Sequence, residues 1–365
     1  MRSDLPPVRV TLLTGFLGAG KTTLLNRLLR DPRLTDTAVI VNEFGEVGID
    51  HLLVETSGEE IIELSDGCVC CTVRGDLVDT LADLVDRMQT GRLRPLSRVV
   101  VETTGLADPA PILASLMAHP ALVQSYALGA VVCVVDAAAG TEGLEGRVEA
   151  ERQIACADRI VLAKTDLRDG APDEALARLI ERLNPSAPIV LADEADPIAI
   201  VEAGLYDPAT RAPDVARWLG QARAEPQRHG HRHDHEAPHA ARVASFSLVE
   251  ARPIPTHALQ EFLGLLGQTQ GPRLLRMKAI VATSEDAAHP LVLHGVRGYL
   301  HPPVRLPAWP EGMERQSRLV LIGEGLDETY VRGLFAAFTG QPRIDAPDRA
   351  GLMDNPLAVP GARFG

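Results

Sequence analysis

The chain has 365 residues, of which 45% are hydrophobic and 23% are charged, so it is long enough for two globular domains. Its formal net charge of −13 argues against a surface for nucleic acid or anionic membranes, because such partners reward clustered Lys and Arg. No apolar run approaches the roughly 18 residues of a membrane span, and no apolar signal core precedes the first strand candidate, so we expect a cytoplasmic protein.

Residues 8–29 contain the pattern G-x-x-x-x-G-K-T, which is typical of a phosphate-binding P-loop. An apolar strand candidate precedes the pattern and leucines at helical spacing follow it, as a P-loop requires. We expect backbone N–H groups to wrap the phosphates, Lys21 to reach the β- and γ-phosphates and the Thr22 hydroxyl to bind Mg²⁺. The residues assigned to the nucleotide here are Gly15, Phe16, Leu17, Gly18, Ala19, Gly20, Lys21, Thr22 and Thr23.

Two later segments are candidates for sensing the γ-phosphate. After the strand candidate at residues 37–41, residues 42–50 form a loop with three acids and two glycines, which is either a switch segment or an acidic surface loop. A strand candidate at residues 98–102 ends in Glu102, the position that holds the Mg²⁺ shell in P-loop NTPases. Gly105 can then bring its N–H to the γ-phosphate. The candidate catalytic residues are Lys21, Thr22, Glu102 and Gly105.

Three of the five cysteines, Cys68, Cys70 and Cys71, lie within four positions, after a strand candidate at residues 60–64. Thiolates favour Zn²⁺ or Cu⁺ over Mg²⁺, so the C-x-C-C cluster is a candidate metal site. It lacks a second C-x-x-C pair, which favours metal transfer over a structural site. Small buried cysteines beside a turn are the alternative. The other two, Cys133 and Cys156, lie in apolar patterns and are predicted to be core residues.

The strand candidates at residues 129–136 and 159–163 continue an alternating series of strands and helices. Lys164-Thr165-Asp166 follows the second of them and resembles the guanine-reading N-K-x-D sequence of GTPases, with Ala163 in place of the Asn. The retained Asp166 favours GTP over ATP, whereas the missing amide weakens strict base selectivity. With a last strand candidate at residues 188–191, the series predicts an α/β P-loop domain with a doubly wound sheet over residues 1–206.

The composition changes after this domain. Residues 207–241 are rich in Pro, Ala, Arg and His, and we interpret them as a linker whose histidines at 229–239 either collect metal ions or are simply solvated. Residues 242–345 carry strand candidates at 243–248, 279–282, 291–294 and 319–322, with helical patterns at 256–266 and 327–338. They predict a second, smaller α+β domain without a catalytic signature, whose scattered histidines we assign to no metal. Residues 346–365 are expected to be a loose tail.

In order, the chain contains GFLGAGKTT, VNEFGEVGID, GCVCC, VETTGLADP, KTD and the histidine tract. From about residue 8 to residue 340 it resembles the CobW-type metallochaperone GTPases, which are also called zinc-regulated GTPase metalloprotein activators. The resemblance implies GTP hydrolysis coupled to delivery of a metal, usually Zn²⁺ and in some relatives Co²⁺ or Fe²⁺, to a client metalloprotein. It also allows a homodimer.

The resemblance assigns roles to residues that match the family's motifs. It implies that Lys164 and Asp166 read guanine, with GTP and Mg²⁺ as cofactors. The cargo-metal ligands it implies, with Glu46 of the first switch loop as an additional candidate, are Cys68, Cys70, Cys71 and Glu46.

Two other classes stay open. A small-molecule kinase would use ATP and leave the C-x-C-C cluster without a role. A metal-storage or sensor protein would have a vestigial nucleotide site, which the intact Lys21, Thr22 and Glu102 argue against.

Overall fold

The computed structural model of the protein describes residues 7–34, 36–41, 61–63, 73–167, 173–202 and 242–340. The predicted linker at 207–241 and the predicted tail at 346–365 lie outside these ranges. Within them, no helix has both the length and the apolar character that crossing a bilayer requires.

The first domain is built on a parallel sheet covered by helices. Its described strands are β1 (Val8–Thr14), β2 (Thr37–Val41), β3 (Ile61–Glu63), β4 (Arg98–Glu102), β5 (Tyr126–Asp136), β6 (Arg159–Ala163) and β7 (Ile189–Leu191). They lie in the order β3-β2-β4-β1-β5-β6-β7, and every pairing is parallel. Its described helices are α1 (Lys21–Leu29), α2 (Val73–Gln89), α3 (Pro109–Ala118), α4 (Pro120–Val123), α5 (Val148–Cys156), α6 (Glu174–Leu183) and α7 (Pro197–Val201).

The central strand β5 shows why this sheet is buried on both faces. Its sequence is almost continuously apolar, as expected for a parallel strand with helices on each side. Val132 and Val134 pack with α1 and α7, whereas Val131 and Val135 pack with α2, α3, α5 and α6 on the other face. The predicted doubly wound P-loop domain is therefore confirmed.

The second domain is an antiparallel sheet with two long helices. Its described strands are β8 (Val243–Glu250), β9 (Leu274–Thr283), β10 (Asp286–Val296), β11 (Tyr299–Leu300), β12 (Val304–Arg305) and β13 (Ser317–Glu324), and the helices are α8 (Thr256–Gln270) and α9 (Glu328–Thr339). The strand order is β11-β10-β9-β13-β8, and β12 pairs with β10. This arrangement confirms the predicted smaller α+β domain.

Both faces of the second sheet are buried, but against different partners. Leu319 and Leu321 of β13 face α8 and α9, in a core where the rings of Phe262 and Phe335 meet edge to face at 5.2 Å. The alternate residues Val320 and Ile322 join the core of the first domain instead. Because side chains alternate between the two faces of a strand, β13 contributes to two hydrophobic cores. One core lies within the second domain, and the other lies between the two domains.

A buried ionic cluster lies in this contact between the domains. The Oδ1 of Asp158, between α5 and β6, lies 2.7 Å from Nη2 of Arg276 and 3.0 Å from Nζ of Lys278, both on β9. Its Oδ2 accepts the Val131 N–H at 3.0 Å. Burial by itself would raise the pKa of Asp158, but the Arg276 and Lys278 charges lower it to about 2. The carboxylate is therefore held ionised between the two sheets.

Several element boundaries differ from the sequence prediction. β9 and β10 extend well beyond the predicted residues 279–282 and 291–294, because pairing with neighbouring strands carries the hairpin past its most apolar part. β5 begins three residues before the predicted position 129, and α8 ends four residues beyond 266. The sequence analysis did not identify α3, α4, α6, α7, β11 or β12.

Candidate functional site

The strand order brings the predicted nucleotide residues to one edge of the first sheet. The strands β4, β1, β5 and β6 are neighbours, and parallel strands present their carboxyl ends at the same edge. Glu102, Gly15, Asp136 and Lys164 stand at or just beyond those four ends. This edge also carries the start of α1, whose N-terminal N–H groups favour a bound anion.

The P-loop between β1 and α1 is closely packed against β5. Gly15 has φ +144°, and a Cβ added there would come within 2.3 Å of the Val134 carbonyl oxygen. The Lys21 ammonium bends back over the loop, where Nζ donates to the carbonyls of Gly15 at 3.1 Å and Phe16 at 3.3 Å. The loop thus has the glycine-dependent curvature and the lysine position of a phosphate cradle.

Thr22 and Glu102 meet across this edge. The Thr22 hydroxyl donates to Oε1 of Glu102 at 2.9 Å, and the carboxyl side chain is 5% exposed at the end of β4. Hydroxyl and carboxylate oxygens are hard donors of the kind that Mg²⁺ prefers. The pair therefore fits the predicted Mg²⁺ ligation, because two oxygen donors from separate elements meet beside the phosphate cradle.

The segment after Glu102 is held against the P-loop. A Cβ on Gly105 would lie 2.6 Å from both N and Cα of Leu17, so only glycine fits here without a shift of backbone. On the other side, Nε2 of the buried Gln153 on α5 donates to the carbonyls of Gly105 at 3.1 Å and Ala107 at 3.0 Å. These contacts fix the peptide groups that the sequence analysis assigned to the γ-phosphate.

The predicted base-reading residues follow β6. Lys164 has φ +59°, and its Nζ lies 2.7 Å from Oδ2 of Asp136 at the end of β5. The Asp136 Oδ1 accepts N–H groups of Ala138 at 2.9 Å and of Ala139 at 3.1 Å, so this carboxylate braces both its own turn and the lysine. Asp166 lies in a short 3₁₀ turn and is exposed.

The methyl group of Ala163 lies near Gly20 of the P-loop. A Cβ on Gly20 would lie 3.5 Å from it, in ordinary van der Waals contact. The Ala163 carbonyl accepts the Ala137 N–H at 2.9 Å, which ties the ends of β5 and β6 together through the backbone. Ala163 is thus placed beside the P-loop but offers it no side-chain amide, which an Asn would carry.

Three functional candidates in the site were missed by sequence reasoning. Asp136 ends a strand next to Lys164, and this strand-terminal acid was the available signal. Gln153 lies within a helix and carries no motif. Arg147, at the start of α5, places its guanidinium carbon 4.7 Å from the centre of the Phe16 ring. Such long-range contacts leave no local pattern.

The predicted cargo-metal residues Cys68, Cys70, Cys71 and Glu46 lie outside the described residues. Cys133 and Cys156 are buried free thiols, as predicted. Burial raises the pKa of Cys133 to about 12, so this thiol is protonated and inert at neutral pH. Among the described residues, no three His, Cys, Asp or Glu side chains are grouped so that they could hold a metal ion.

A solved structure with similar architecture extends over most of the chain. The crystal structure of Zn(II)-bound YjiA GTPase from Escherichia coli superposes with a TM-score of 0.62 and 27% identity, covering 92% of this chain and 99% of that one.

Curated relatives match either about half of the chain or most of it. The zinc chaperone YjiA of Escherichia coli is 42% identical over 190 residues, which are 52% of this chain and 59% of that relative, less than two thirds of its length. The zinc chaperone CobW of Pseudomonas aeruginosa is 32% identical over 357 residues, 88% of this chain and 89% of that relative.

Two family models cover the two domains in turn. The model of the CobW/HypB/UreG nucleotide-binding domain matches residues 9–191, and that of the C-terminal domain of the cobalamin synthesis protein CobW matches residues 243–339. The first range contains the P-loop, Glu102 and Lys164, and the second contains the described strands of the second sheet. The chain belongs to the CobW/HypB/UreG family.

Proposed function

We propose that this protein hydrolyses GTP and uses the nucleotide state to control a zinc ion that it carries and hands to a client metalloprotein. The observation that carries the nucleotide part is the 2.9 Å hydrogen bond from Thr22 to Glu102 beside the Lys21 ammonium. The metal part is supported by the relatives named zinc chaperones and by the Zn(II)-bound YjiA structure.

On the phosphate side, each residue of the edge has one role. Lys21 leaves its two loop carbonyls to bind the β- and γ-phosphate oxygens, while the loop N–H groups wrap the chain. Thr22 and Glu102 hold Mg²⁺, which neutralises charge on the same phosphates when it is bound. The Gly105 N–H is the group that distinguishes GTP from GDP, because its contact requires the γ-phosphate.

On the base side, the proposal uses Lys164, Asp136 and Asp166. The Lys164 stem lies along the guanine ring, in an orientation that its ion pair with Asp136 maintains. The Asp166 carboxylate accepts hydrogen bonds from the N1 and N2 donors of guanine, which adenine lacks. Discrimination against ATP rests on those hydrogen bonds.

For the cargo metal, we assign Cys68, Cys70 and Cys71, with Glu46 as an additional ligand. Three thiolates bind Zn²⁺ tightly, and the fourth tetrahedral position, which Glu46 takes in the carrier, is the one that a ligand of the client protein takes over. In sequence, this loop lies between residues 42–50 and Glu102, the two segments that we expect to respond to the γ-phosphate. Nucleotide-dependent release of the ion follows from that arrangement if the two sites are coupled.

The test is phosphate release from GTP and from ATP, each with and without Zn²⁺. We expect turnover with GTP, much less with ATP, and loss of both in Lys21→Ala. A matched control is Arg178→Ala, which removes an exposed cation on α6 and should leave turnover unchanged. Turnover of ATP that requires a small-molecule acceptor would instead identify a kinase, and Zn²⁺ binding without any nucleotide binding would identify a storage or sensor protein.

A further inference from the structure

The turn between β10 and β11 is made by Arg297 and Gly298, and both have positive φ, +49° and +80°. Two such residues between paired strands form a type I′ turn, which normally carries Asn, Asp or Gly because other side chains are strained there. Gly298 is explained by its close approach to Gly267 of α8, where a Cβ would come within 3.1 Å of the carbonyl oxygen. Arg297 has no such local explanation, so its strain points to a role for the side chain.

The Arg297 side chain reaches from the second domain into the first. Its Nη2 donates to Oδ2 of Asp108 at 2.7 Å. Asp108 is the N-cap of α3, and its Oδ1 accepts the Ala110 N–H at 2.9 Å. Arg152 of α5 approaches the same Oδ2 at 3.4 Å and binds Glu324 of β13 at 2.9 Å. One carboxylate of the first domain is therefore held by a turn of the second.

Asp108 is three residues from Gly105, and the intervening backbone is constrained. The Ala107 N–H donates to the Thr104 carbonyl at 3.1 Å, and Gln153 holds the carbonyls of Gly105 and Ala107 together. On its other side Gly105 contacts the backbone of Leu17. These hydrogen bonds give a continuous path by which a displacement of Asp108 reaches the Gly105 peptide.

We propose that Arg297 is a positioning residue for the GTPase site, contributed by the second domain and acting through Asp108 on the Gly105 peptide. Its role rests on the proposed function, because Gly105 matters only if its N–H contacts the γ-phosphate. The second domain thereby contributes a side chain that bears on hydrolysis in the first.

The experiment compares the full-length protein with Arg297→Gln, Arg297→Lys, Asp108→Asn and the Arg297→Gln/Asp108→Asn double variant. Asn keeps the helix cap while removing the charge. We expect kcat for GTP to fall about threefold to fivefold in Arg297→Gln, with GDP affinity unchanged and partial recovery in Arg297→Lys. The double variant should be no slower than Asp108→Asn alone, because the pair acts as a unit.

The matched control is Arg305→Gln, which removes an arginine that contacts Asp286 within the second domain only. It should turn over GTP like the wild type. Amide hydrogen exchange of residues 103–108 is the second readout, and it should rise in Arg297→Gln but not in Arg305→Gln. If Arg297→Gln matches the wild type and Arg305→Gln in turnover and exchange, the positioning role is overturned. It is also overturned if GDP affinity falls together with turnover in Arg297→Gln. If the wild type itself releases no phosphate, the proposed function fails, and the exchange measurement still decides whether Arg297 holds the segment.

Discussion

Gly105 lies so close to Leu17 that a side chain of one carbon on Gly105 would come within 2.6 Å of the Leu17 backbone. We predict that Gly105→Ala lowers GTP turnover by more than about tenfold, because the segment that contacts the γ-phosphate must move away from the P-loop to make room. GDP should bind nearly as in the wild type, since this contact serves the γ-phosphate. Steady-state kinetics and GDP titration test both statements.

The matched control for that variant is Gly264→Ala on the exposed face of α8, where a Cβ meets nothing within 4 Å. This change should stabilise the protein by about 0.5–1 kcal/mol and leave turnover unaffected, because Ala favours the helix over Gly. Equal turnover in Gly105→Ala and Gly264→Ala would show that the contact with Leu17 has no functional weight.

The Asp136–Lys164 pair should affect base selectivity. Asp136→Asn retains an oxygen for the N–H groups of Ala138 and Ala139 but removes the charge that orients the lysine. We expect guanine nucleotide affinity to fall about threefold to fivefold, as for a partly exposed ion pair, with adenine nucleotide affinity unchanged. Calorimetric titration with GDP and ADP measures the ratio. A parallel loss for both bases would mean that Asp136 supports the fold instead; Asp173→Asn, which alters the cap of α6, is the control.

Mutation of the buried ionic cluster between the domains should destabilise the protein far more than mutation of an exposed ion pair. Asp158→Asn leaves Arg276 and Lys278 as uncompensated charges in the interior, and we expect a loss of about 3–5 kcal/mol in the free energy of unfolding. Urea denaturation measures it. Asp286→Asn, which removes an exposed carboxylate near His289 and Arg305, should change stability little. Comparable losses in the two variants would contradict the importance of the buried cluster.

The buried charged groups around Asp158 and His294 should make the stability of the protein fall at acid pH. Burial lowers the pKa of His294 on β10 well below 6.5, and the neighbouring charges of Arg276, Lys278 and His301 oppose protonation further, with only Asp158 favouring it. The folded protein therefore excludes a proton that the unfolded chain binds below about pH 6.5, so stability falls as the pH drops below that value. Asp158, whose pKa is lowered to about 2 from 3.8, adds a second loss below about pH 4.

Denaturation between pH 8 and pH 5 tests the histidine part of this prediction. His294→Leu should flatten the dependence, whereas His289→Leu on the exposed part of β10 should retain it. A flat profile in the wild type would refute the exclusion of the proton at His294.

Coupling between the nucleotide and the cargo metal is the prediction closest to the proposed function. Zn²⁺ affinity should be higher with a non-hydrolysable GTP analogue than with GDP, by a factor equivalent to about 1–3 kcal/mol. Competition against a chelator in the two states measures it. Replacing both Cys70 and Cys71 by Ser should remove the tight site yet leave GTP binding intact, and Lys21→Ala should do the reverse. Identical affinities in the two nucleotide states would reduce the protein to a GTPase that happens to hold a metal.

The phosphate-binding residues at the carboxyl edge of the first sheet were predictable, because each belongs to a short motif that is visible in the sequence. The P-loop needs only the spacing from Gly15 to Thr22, and Glu102 follows an apolar strand that any parallel sheet would bury. Once those strands pair side by side, the meeting of Thr22 with Glu102 follows from the topology.

Contacts between distant elements had no comparable signal. Gln153 is one polar residue in a helical pattern, and its partners at Gly105 and Ala107 are 48 and 46 residues away in sequence. Arg276 and Lys278 alternate along β9 and suggest a solvent-facing side of a strand, whereas the face they share is covered by the first domain. Packing against the first domain therefore buries a face whose sequence is typical of an exposed one.

The division of β13 between two cores has a consequence for how the molecule can be taken apart. Val320 and Ile322 bury their side chains only because the first domain covers them, and the Asp158 cluster joins the same surface. Cleavage of a peptide bond between residues 202 and 242 would therefore not separate the two domains. The halves, produced as separate chains and mixed, should reassemble into a single complex that sediments like the intact protein.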